Sequence, residues 1–239
     1  MPTQPPTSPP AIDLYYWPTP NGHKITIMLE ECGQPYTVKY GNILRAEQFK
    51  PEFLAISPNN RMPAIVDSQG PGGQPISVFE GGAILQYLAR KSGQFYGGDE
   101  RARVQVDEWL FWQAGGLGPM AGQCHHFRHY AKEQIAYATD RYTNEVNRLY
   151  GVMNRRLADR EYLASDYSIA DMAAYPWVRP YKSQGQNLSD FPHLRAWYER
   201  LHARPAIARA VKVGEDVRKA HNVATDEEAR RVLFGQTAR

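Results

Sequence analysis

Cysteine is scarce in this chain: Cys32 and Cys124 are the only two among 239 residues, and they form no C-x-x-C pair. Two isolated thiols exclude both a disulfide framework and a dithiol redox motif. No charge of one sign dominates, since 28 Lys and Arg face 25 Asp and Glu for a net charge of +3. The net charge is small and the basic residues are scattered along the chain, which excludes the basic stripe typical of nucleic-acid binding. The composition also excludes a disordered or membrane-spanning chain. We therefore expect neither a nucleic-acid nor a membrane partner.

The amino terminus lacks the features of a secretory signal. The opening MPTQPPTSPPAID has no basic n-region and no apolar h-region, which a signal peptide requires. Its prolines predict a disordered or extended tail over residues 1–10. By elimination, the expected location is the reducing cytoplasm.

The next eighty residues alternate between the rhythms of strands and helices. Residues 12–17 predict a strand, and Thr19-Pro20-Asn21-Gly22 predicts a turn. After this turn, the spacing of apolar residues predicts an amphipathic helix that ends at Gly33. A second strand over 36–40 completes a βαβ unit. Strands at 63–67 and 76–79 then predict a hairpin, followed by a helix that Glu80-Gly81 opens. This order, βαβ and then ββα, predicts a thioredoxin-like domain over residues 11–92.

From residue 100 onward the pattern is helical. After a linker at 93–101, one helical run is expected to break at Gly115–Pro119, and a long helix is expected over about 134–158. Ser168 precedes Asp171 by three residues, the spacing of a capping box. We predict an all-α domain over 102–222, a last helix over about 191–203, and a C-terminal tail over 223–239. The expected fold class is thus an α/β thioredoxin-like domain followed by an all-α domain.

Four segments are expected to meet at one edge of the sheet, where open α/β folds bind ligands. Met62-Pro63 is a candidate cis peptide whose backbone could pair with an extended peptide ligand; alternatively, it is an ordinary strand start. Glu80 and Gly81 offer a carboxylate beside helix amides, a complement to an amino-acid headgroup. The alternative is an acid that interacts with the helix dipole.

The turn at Thr19 and Asn21 is the third segment. A hydroxyl and an amide at a helix N-terminus can stabilise a thiolate, which is the reactive form of a thiol. The alternative is turn formation with N-capping, a routine role for Thr and Asn.

The fourth segment, with His125, His126 and His129, and the two cysteines indicate little chemistry. His125 and His129 have a possible metal spacing, but no partner with suitable spacing supports it, so we predict no metal and a polar lining or surface role. Cys32 lies on an apolar stripe and is predicted to be a buried structural thiol. Cys124 follows the Gly-Pro segment, and its reactivity would require exposure and a lowered pKa.

Several longer motifs carry a specific resemblance. Thr-Pro-Asn-Gly-His-Lys-Ile-Thr at 19–26, the stretch at 57–67 with Asn-Asn-Arg-Met-Pro, Trp-Leu-Phe-Trp-Gln at 109–113 and Gly-Gly-Leu-Gly-Pro-Met at 115–120 resemble the Nu class of cytosolic glutathione transferases. His-His-Phe at 125–127 and the capping box extend the likeness over residues 12–210. Members of this class are bacterial disulfide-bond oxidoreductases related to a fungal nitrogen regulator. The resemblance implies a homodimer that uses glutathione, reduced or oxidised, as its co-substrate.

The resemblance also implies roles for individual residues. Thr19 and Asn21 would hold the glutathione sulfur, and Gln48 would reach the glycine end of the tripeptide. The remaining implied contacts are the backbone of Met62 before a cis Pro63, Glu80 for the γ-glutamyl ammonium, the Gly81 amide for its carboxylate, and Arg141 acting from a neighbouring subunit. The family usually has Glu-Ser where this chain has Glu80-Gly81, so one hydroxyl donor is missing.

Three functions follow as expectations. The first is reduction of small disulfides by glutathione thiols without a protein cysteine, which explains redox work in a chain lacking C-x-x-C. The second is conjugation of small electrophiles in a pocket between the domains, with an apolar wall of Trp112, Leu117, Met120 and Phe127. The third is a non-catalytic binding or regulatory module on the same fold.

Overall fold

The computed structural model describes residues 10–220 and 226–237. Most of the predicted amino-terminal tail, residues 1–9, lies outside the described residues, as do 221–225 and 238–239. Within the described ranges, no helix is both long and apolar enough to cross a bilayer.

Four strands form a mixed sheet in the order β2-β1-β3-β4. The strands are β1 (Ile12–Tyr16), β2 (Tyr36–Tyr40), β3 (Ala64–Asp67) and β4 (Ile76–Phe79). β1 runs parallel to β2 and antiparallel to β3, and β3 pairs antiparallel with β4. The predicted βαβ unit and hairpin are therefore both confirmed.

The helices of the first domain flank this sheet, and helices are the main regular element from residue 100 onward in the described part of the chain. The first domain contains α1 (Pro20–Glu31), α2 (Pro51–Leu54) and α3 (Gly81–Ser92). The second contains α4 (Glu100–Trp112), α5 (Gly118–His125), α6 (Ala136–Arg156), α7 (Ile169–Val178), α8 (Pro192–His202), α9 (Pro205–Lys212), α10 (Glu215–Lys219) and α11 (Glu227–Phe234). Ser168 and Asp171 form the predicted capping box at the start of α7.

The predicted helix break at Gly115–Pro119 is wrong. The chain passes from α4 through a π-helical turn, Gln113–Leu117, directly into α5, where Pro119 occupies the first turn. The wider hydrogen-bonding pattern of a π turn accommodates the proline, because a first-turn residue needs no N–H donor to the preceding turn. A second π turn, His126–Tyr130, ends the run.

The prediction of a last helix near residue 203 and a tail after 222 is also wrong for the described residues. α9 packs on α1, and α11 packs beside the 3₁₀ turn at Ile43–Arg45. Arg45 holds α11 through ion pairs with Asp226 at 3.0 Å and Glu228 at 3.3 Å. Burial of Ala229 in a cluster with Trp17 and Leu44 completes this contact. The segment of α11 is polar on average, so its composition alone did not indicate that one face of the helix is apolar and buried.

Candidate functional site

A cleft of about 630 Å³ lies between the two domains, at the N-terminal ends of α1 and α3. A smaller cavity of about 300 Å³ adjoins it and shares Asn21, Arg61, Met62, Gly122 and Trp177. The side chains that face the larger cleft come from both domains and include Asn21, Lys24, Ser57, Asn59, Met62, Glu80, Gln113, Trp177 and Phe234. Five of the predicted site residues, Asn21, Met62, Pro63, Glu80 and Gly81, line it, and Thr19 and Gln48 line the smaller cavity.

Thr19 caps the N-terminus of α1 beside the cleft. Its Oγ1 accepts a hydrogen bond from the backbone N–H of Gly22 at 3.3 Å, so the hydroxyl proton stays available to donate. Gly22 is required here, because a Cβ would lie 2.3 Å from the carbonyl oxygen of Trp17. Thr19 is therefore the N-cap of α1, and its hydroxyl can also donate to a ligand.

Asn21 is oriented by the second domain. The indole Nε1 of Trp177, in α7, donates to Asn21 Oδ1 at 3.1 Å. Because an indole N–H can only donate, the acceptor atom must be the amide oxygen. The amide NH₂ of Asn21 is consequently left for an acceptor other than Trp177, at a residue that lines both the cleft and the adjoining cavity. Sequence reasoning found Asn21 but missed Trp177, which lies 156 residues away.

The loop before β3 presents main-chain groups to the cleft. The Met62–Pro63 peptide is cis, as predicted, and both residues line the cleft. Ser57, which is buried, supports the loop by donating from its hydroxyl to the carbonyl of Arg61 at 2.9 Å. This loop therefore has a defined shape before any ligand binds.

Glu80 and Gly81 lie at the start of α3. Glu80 occupies the N-cap position with φ of 70°, and its side chain makes no capping hydrogen bond. Instead its Oε1 accepts from Asn59 Nδ2 at 3.1 Å, at the surface of the cleft. The first amides of α3 therefore remain available to an anion, next to a carboxylate that suits an ammonium group.

Lys24 and Gln113 lie deeper in the cleft, and sequence reasoning missed both. Lys24 is 6% exposed and donates from Nζ to Gln113 Oε1 at 2.7 Å, across the domain boundary. Burial lowers the pKa of Lys24 to about 7, while Glu80 opposes this shift. Eight consecutive residues of α1, Gly22–Leu29, are buried, so apolar spacing alone gave no indication that a lysine faced inward.

Gln48 lines the smaller cavity and is almost completely buried. Its Nε2 donates to the carbonyl of Ile43 at 3.2 Å, whereas its Oε1 has no hydrogen-bond partner within the described part of the chain. A buried acceptor without a donor is costly, and a ligand N–H would satisfy it.

The predicted apolar wall is wrong, because Trp112, Leu117, Met120 and Phe127 do not line the cleft. Leu117 is fully buried in the core, and Phe127 stacks on Tyr142 with ring centroids 5.4 Å apart. Trp112 and Met120 pack partly buried against the same core. Ala114, Pro119, Gly122, Trp177 and Phe234 form the wall instead.

Arg141 lies outside the cleft of its own chain. It is exposed on α6, with Nη1 3.7 Å from Glu145 Oε2. Its contact with a ligand bound in a neighbouring subunit stays a prediction.

Neither cysteine faces the candidate site. Cys124 is fully buried with Sγ 3.6 Å from the carbonyl oxygen of Gln184, and burial raises the pKa of its thiol. Cys32 is half-buried rather than buried as predicted, and burial raises its pKa as well. It follows α1 at the end opposite Thr19, about 20 Å away at the rise of an α-helix.

His125 lines the smaller cavity, and its Nε2 lies 2.9 Å from Ser183 Oγ. Burial lowers the pKa of His125 to about 4, so the ring is neutral near neutral pH. Within residues 10–220 and 226–237, no group of three His, Cys, Asp or Glu side chains is placed to hold a metal ion.

Comparison with known proteins gives consistent matches over both domains. The chain matches the glutathione S-transferase N-terminal domain over residues 10–90 and the C-terminal domain over 119–205. It is 51% identical to the disulfide-bond oxidoreductase YfcG of Escherichia coli over 84% of this chain and 94% of that protein.

Two solved structures are similar over most of their length. A glutathione transferase from Pseudomonas putida, with one glutathione disulfide bound per subunit, has a TM-score of 0.82 and 42% identity over 87% of this chain and 94% of that one. A glutathione transferase family member from Pseudomonas fluorescens, with two glutathione molecules bound, has a TM-score of 0.80 and 42% identity over 87% and 95%.

Proposed function

Since the chain belongs to the glutathione S-transferase family, we propose that it is an enzyme that reduces small disulfides with glutathione and uses no protein cysteine as nucleophile. Thr19 and Asn21 hold the glutathione sulfur and stabilise its thiolate. The observation that carries this proposal is the orientation of Asn21, whose amide NH₂ is left free because Trp177 donates to its oxygen at 3.1 Å. Two donors at the N-terminus of α1 favour an anion there.

The rest of the tripeptide extends across the sheet edge. The backbone of Met62, before cis Pro63, pairs with the cysteinyl residue, as main-chain groups do with extended peptides. Glu80 takes the γ-glutamyl ammonium and the Gly81 amide its carboxylate. At the other end, the unpartnered Oε1 of Gln48 accepts an N–H from the glycine end of the tripeptide. The cleft of about 630 Å³ and the adjoining cavity of about 300 Å³ together provide space for this ligand and a small disulfide.

The reaction consists of two thiol–disulfide exchanges. The thiolate of one glutathione attacks a sulfur of the substrate disulfide, which forms a mixed disulfide and releases one substrate thiolate. The thiolate of a second glutathione attacks the glutathione sulfur of that mixed disulfide, forms glutathione disulfide and releases the other substrate thiolate. Two glutathione thiols are oxidised, the substrate disulfide is reduced, and the two protons of the glutathione thiols end on the substrate thiols. The protein contributes alignment of the sulfurs and stabilisation of the anion.

The decisive test replaces both protein thiols. The double variant Cys32→Ala, Cys124→Ala should reduce a small disulfide at a rate close to that of the unmodified protein, because neither thiol reaches the cleft. A glutathione-coupled assay measures the rate, and circular dichroism checks that the variant is folded. Loss of disulfide reduction in a folded double variant would show that a protein cysteine is the nucleophile.

The assembly and location form part of the same proposal. A homodimer would bring Arg141 of each subunit to the glutathione of the other, and the Arg141 side chain is exposed on α6, beside Glu145. The expected compartment is the cytoplasm, where thiols are kept reduced. Sedimentation should give the mass of a dimer, and Arg141→Ala should weaken glutathione binding without unfolding the chain. A monomer with unchanged affinity in the variant would refute this part.

Conjugation of electrophiles is the second candidate, and the aromatic side chains of Trp177 and Phe234 at the cleft favour it. Both reactions use the same thiolate, so their relative turnover on a small disulfide and on an electrophilic arene separates them. Absence of glutathione binding at millimolar concentration would instead favour a non-catalytic binding or regulatory module.

A further inference from the structure

The floor of the cleft contains more hydrogen-bond donors than acceptors. The ammonium of Lys24 carries three N–H groups, and the bond to Gln113 Oε1 at 2.7 Å uses one of them. Gln113 is fully buried, and its Nε2 has no hydrogen-bond partner in the part of the chain that the structure describes. Two buried side chains from different domains, each with an unused donor, thus line the same cleft.

The N-terminus of α3 lies directly beside this pair. A Cβ placed on Gly81 would be 3.5 Å from Cδ of Lys24, so the lysine side chain runs past the first residue of α3 toward the cleft floor. The first amides of α3 lack a capping side chain, because Glu80 bonds to Asn59 instead. The helix amides, the Lys24 ammonium and the Gln113 amide bonded to it therefore lie side by side, and an acceptor with negative charge suits all three.

Lys24 has no acidic partner of its own. Among the described residues no carboxylate lies within 4.0 Å of its Nζ, although Glu80 is close enough to act on it electrostatically. A buried lysine without an ion pair is costly to fold. A bound carboxylate supplies the missing counter-charge.

We propose that Lys24 and Gln113 bind a ligand carboxylate at the N-terminus of α3, and that for glutathione this group is the α-carboxylate of the γ-glutamyl residue. This assignment rests on the function proposed above. It adds two side chains to the Gly81 amide, and it explains how a glycine serves at a position where the related enzymes usually have a serine hydroxyl. Lys24 thereby contributes to the choice of an amino-acid headgroup over a plain amine.

The test compares two ligands in a matched set of variants. Calorimetry at neutral pH measures the affinity for glutathione and for 4-aminobutanoyl-cysteinylglycine, which is the same tripeptide without the α-carboxylate. Lys24→Met removes the charge and keeps the length of the side chain. Lys39→Met removes one exposed charge on β2, away from the cleft, and is the control for net charge.

Lys24→Met should weaken glutathione binding about 10- to 100-fold, as expected for loss of a charge-assisted hydrogen bond. It should leave the affinity for the decarboxylated analogue unchanged within about twofold, and Lys39→Met should change neither affinity by more than this. Unchanged glutathione affinity in Lys24→Met, or an equal loss for both ligands, overturns the assignment while leaving the proposed function in place.

A second variant guards against misfolding of the first. Gln113→Glu has nearly the same shape and supplies Lys24 with an internal carboxylate, so it should fold and should compete with the ligand. It is expected to weaken glutathione binding and to spare the analogue. Equal effects of Gln113→Glu on the two ligands refute the assignment. If the unmodified protein binds neither ligand, both the assignment and the proposed function are wrong.

Discussion

Removal of the Thr19 hydroxyl is the most direct perturbation of the proposed thiolate site. Thr19→Val keeps the branched shape of the side chain and deletes only the hydrogen-bonding group. The hydroxyl accepts from the Gly22 N–H at 3.3 Å, and its proton is free to donate to a bound sulfur. The variant therefore loses one cap and one donor to the anion.

The expected effect follows from the strength of the lost bond. A hydrogen bond to a charged group contributes about 1.5–3 kcal/mol, and about 1.4 kcal/mol corresponds to one pKa unit. Without the hydroxyl, the pKa of the bound glutathione thiol should rise by about one to two units. At neutral pH the thiolate fraction, and kcat/KM for disulfide reduction with it, should fall about 10- to 100-fold.

The assay is a pH–rate profile of disulfide reduction from about pH 5 to about pH 10. In Thr19→Val the profile should shift to higher pH and approach the unmodified rate at its alkaline end. The ultraviolet absorbance of the thiolate in the bound complex should shift in parallel. Thr19→Ser keeps both the hydroxyl and the cap, so it should stay close to the unmodified profile.

One outcome refutes the reasoning. If Thr19→Val lowers the rate by the same factor at every pH, the hydroxyl does not act on the ionisation of the sulfur. Thr19 then serves only as the N-cap of α1, and the loss of rate reflects a cap worth about 1 kcal/mol of stability.

Three further predictions concern groups that sequence reasoning did not assign to the site. Trp177→Phe removes the indole N–H that fixes Asn21, so kcat/KM should fall about 2- to 10-fold. Asn21→Ala should lower kcat/KM by a smaller factor in the Trp177→Phe background than in the unmodified protein. Additive effects of the two substitutions would contradict this coupling. Burial holds the pKa of His23 near 4 instead of 6.5, so its contribution to stability is complete above pH 6.5 and is lost as the pH falls toward 4. Urea unfolding should show that the free energy of unfolding falls by about 3 kcal/mol over this pH range because of His23, and His125 adds to this loss. In His23→Gln the free energy of unfolding should depend less steeply on pH. The same pH dependence in both proteins would argue against a buried neutral His23. Finally, binding of S-methylglutathione, which has no thiol to ionise, should take up somewhat less than one proton per site at about pH 8. The reason is that the pKa of Lys24 is about 7 in the empty cleft, and a bound carboxylate raises this pKa. Calorimetry in buffers of different ionisation enthalpy measures the proton uptake, which should vanish in Lys24→Met.

The first domain was predictable because local signals and tertiary contacts agree there. Proline and glycine mark the ends of its elements, so the strand at Ile12–Tyr16 and the hairpin strands matched expectation within about one residue. The capping box at Ser168 succeeded for the same reason, since its geometry is contained in four residues. The turn predicted at Thr19–Gly22 is wrong, because the helix Pro20–Glu31 already begins there with Thr19 as its N-cap.

The errors arose where the outcome depends on distant packing. Glycine and proline at 115–119 indicate a break, but the surrounding helices keep the chain helical through a π turn. The polar composition of Glu227–Phe234 indicates a tail, yet burial of Ala229 and the ion pairs of Arg45 hold it as a helix.

The candidate site divides in the same way. Residues within short motifs, such as Thr19, Asn21, Met62 and Glu80, were identified from sequence and line the cleft or its adjoining cavity. Lys24 and Trp177 act through partners 89 and 156 residues away, which no local spacing reveals.

Among the described residues, two of the hydrogen bonds that cross between the domains involve side chains that line the cleft, from Trp177 to Asn21 and from Lys24 to Gln113. Each joins a ligand-facing group of the thioredoxin-like half to a side chain of the helical half. A chimera that grafted another helical half onto this one would therefore misalign the first half's own polar groups, even with its sequence intact. The two halves are separate in the order of their elements, but recognition of the ligand requires the matching side chains of both halves in one protein.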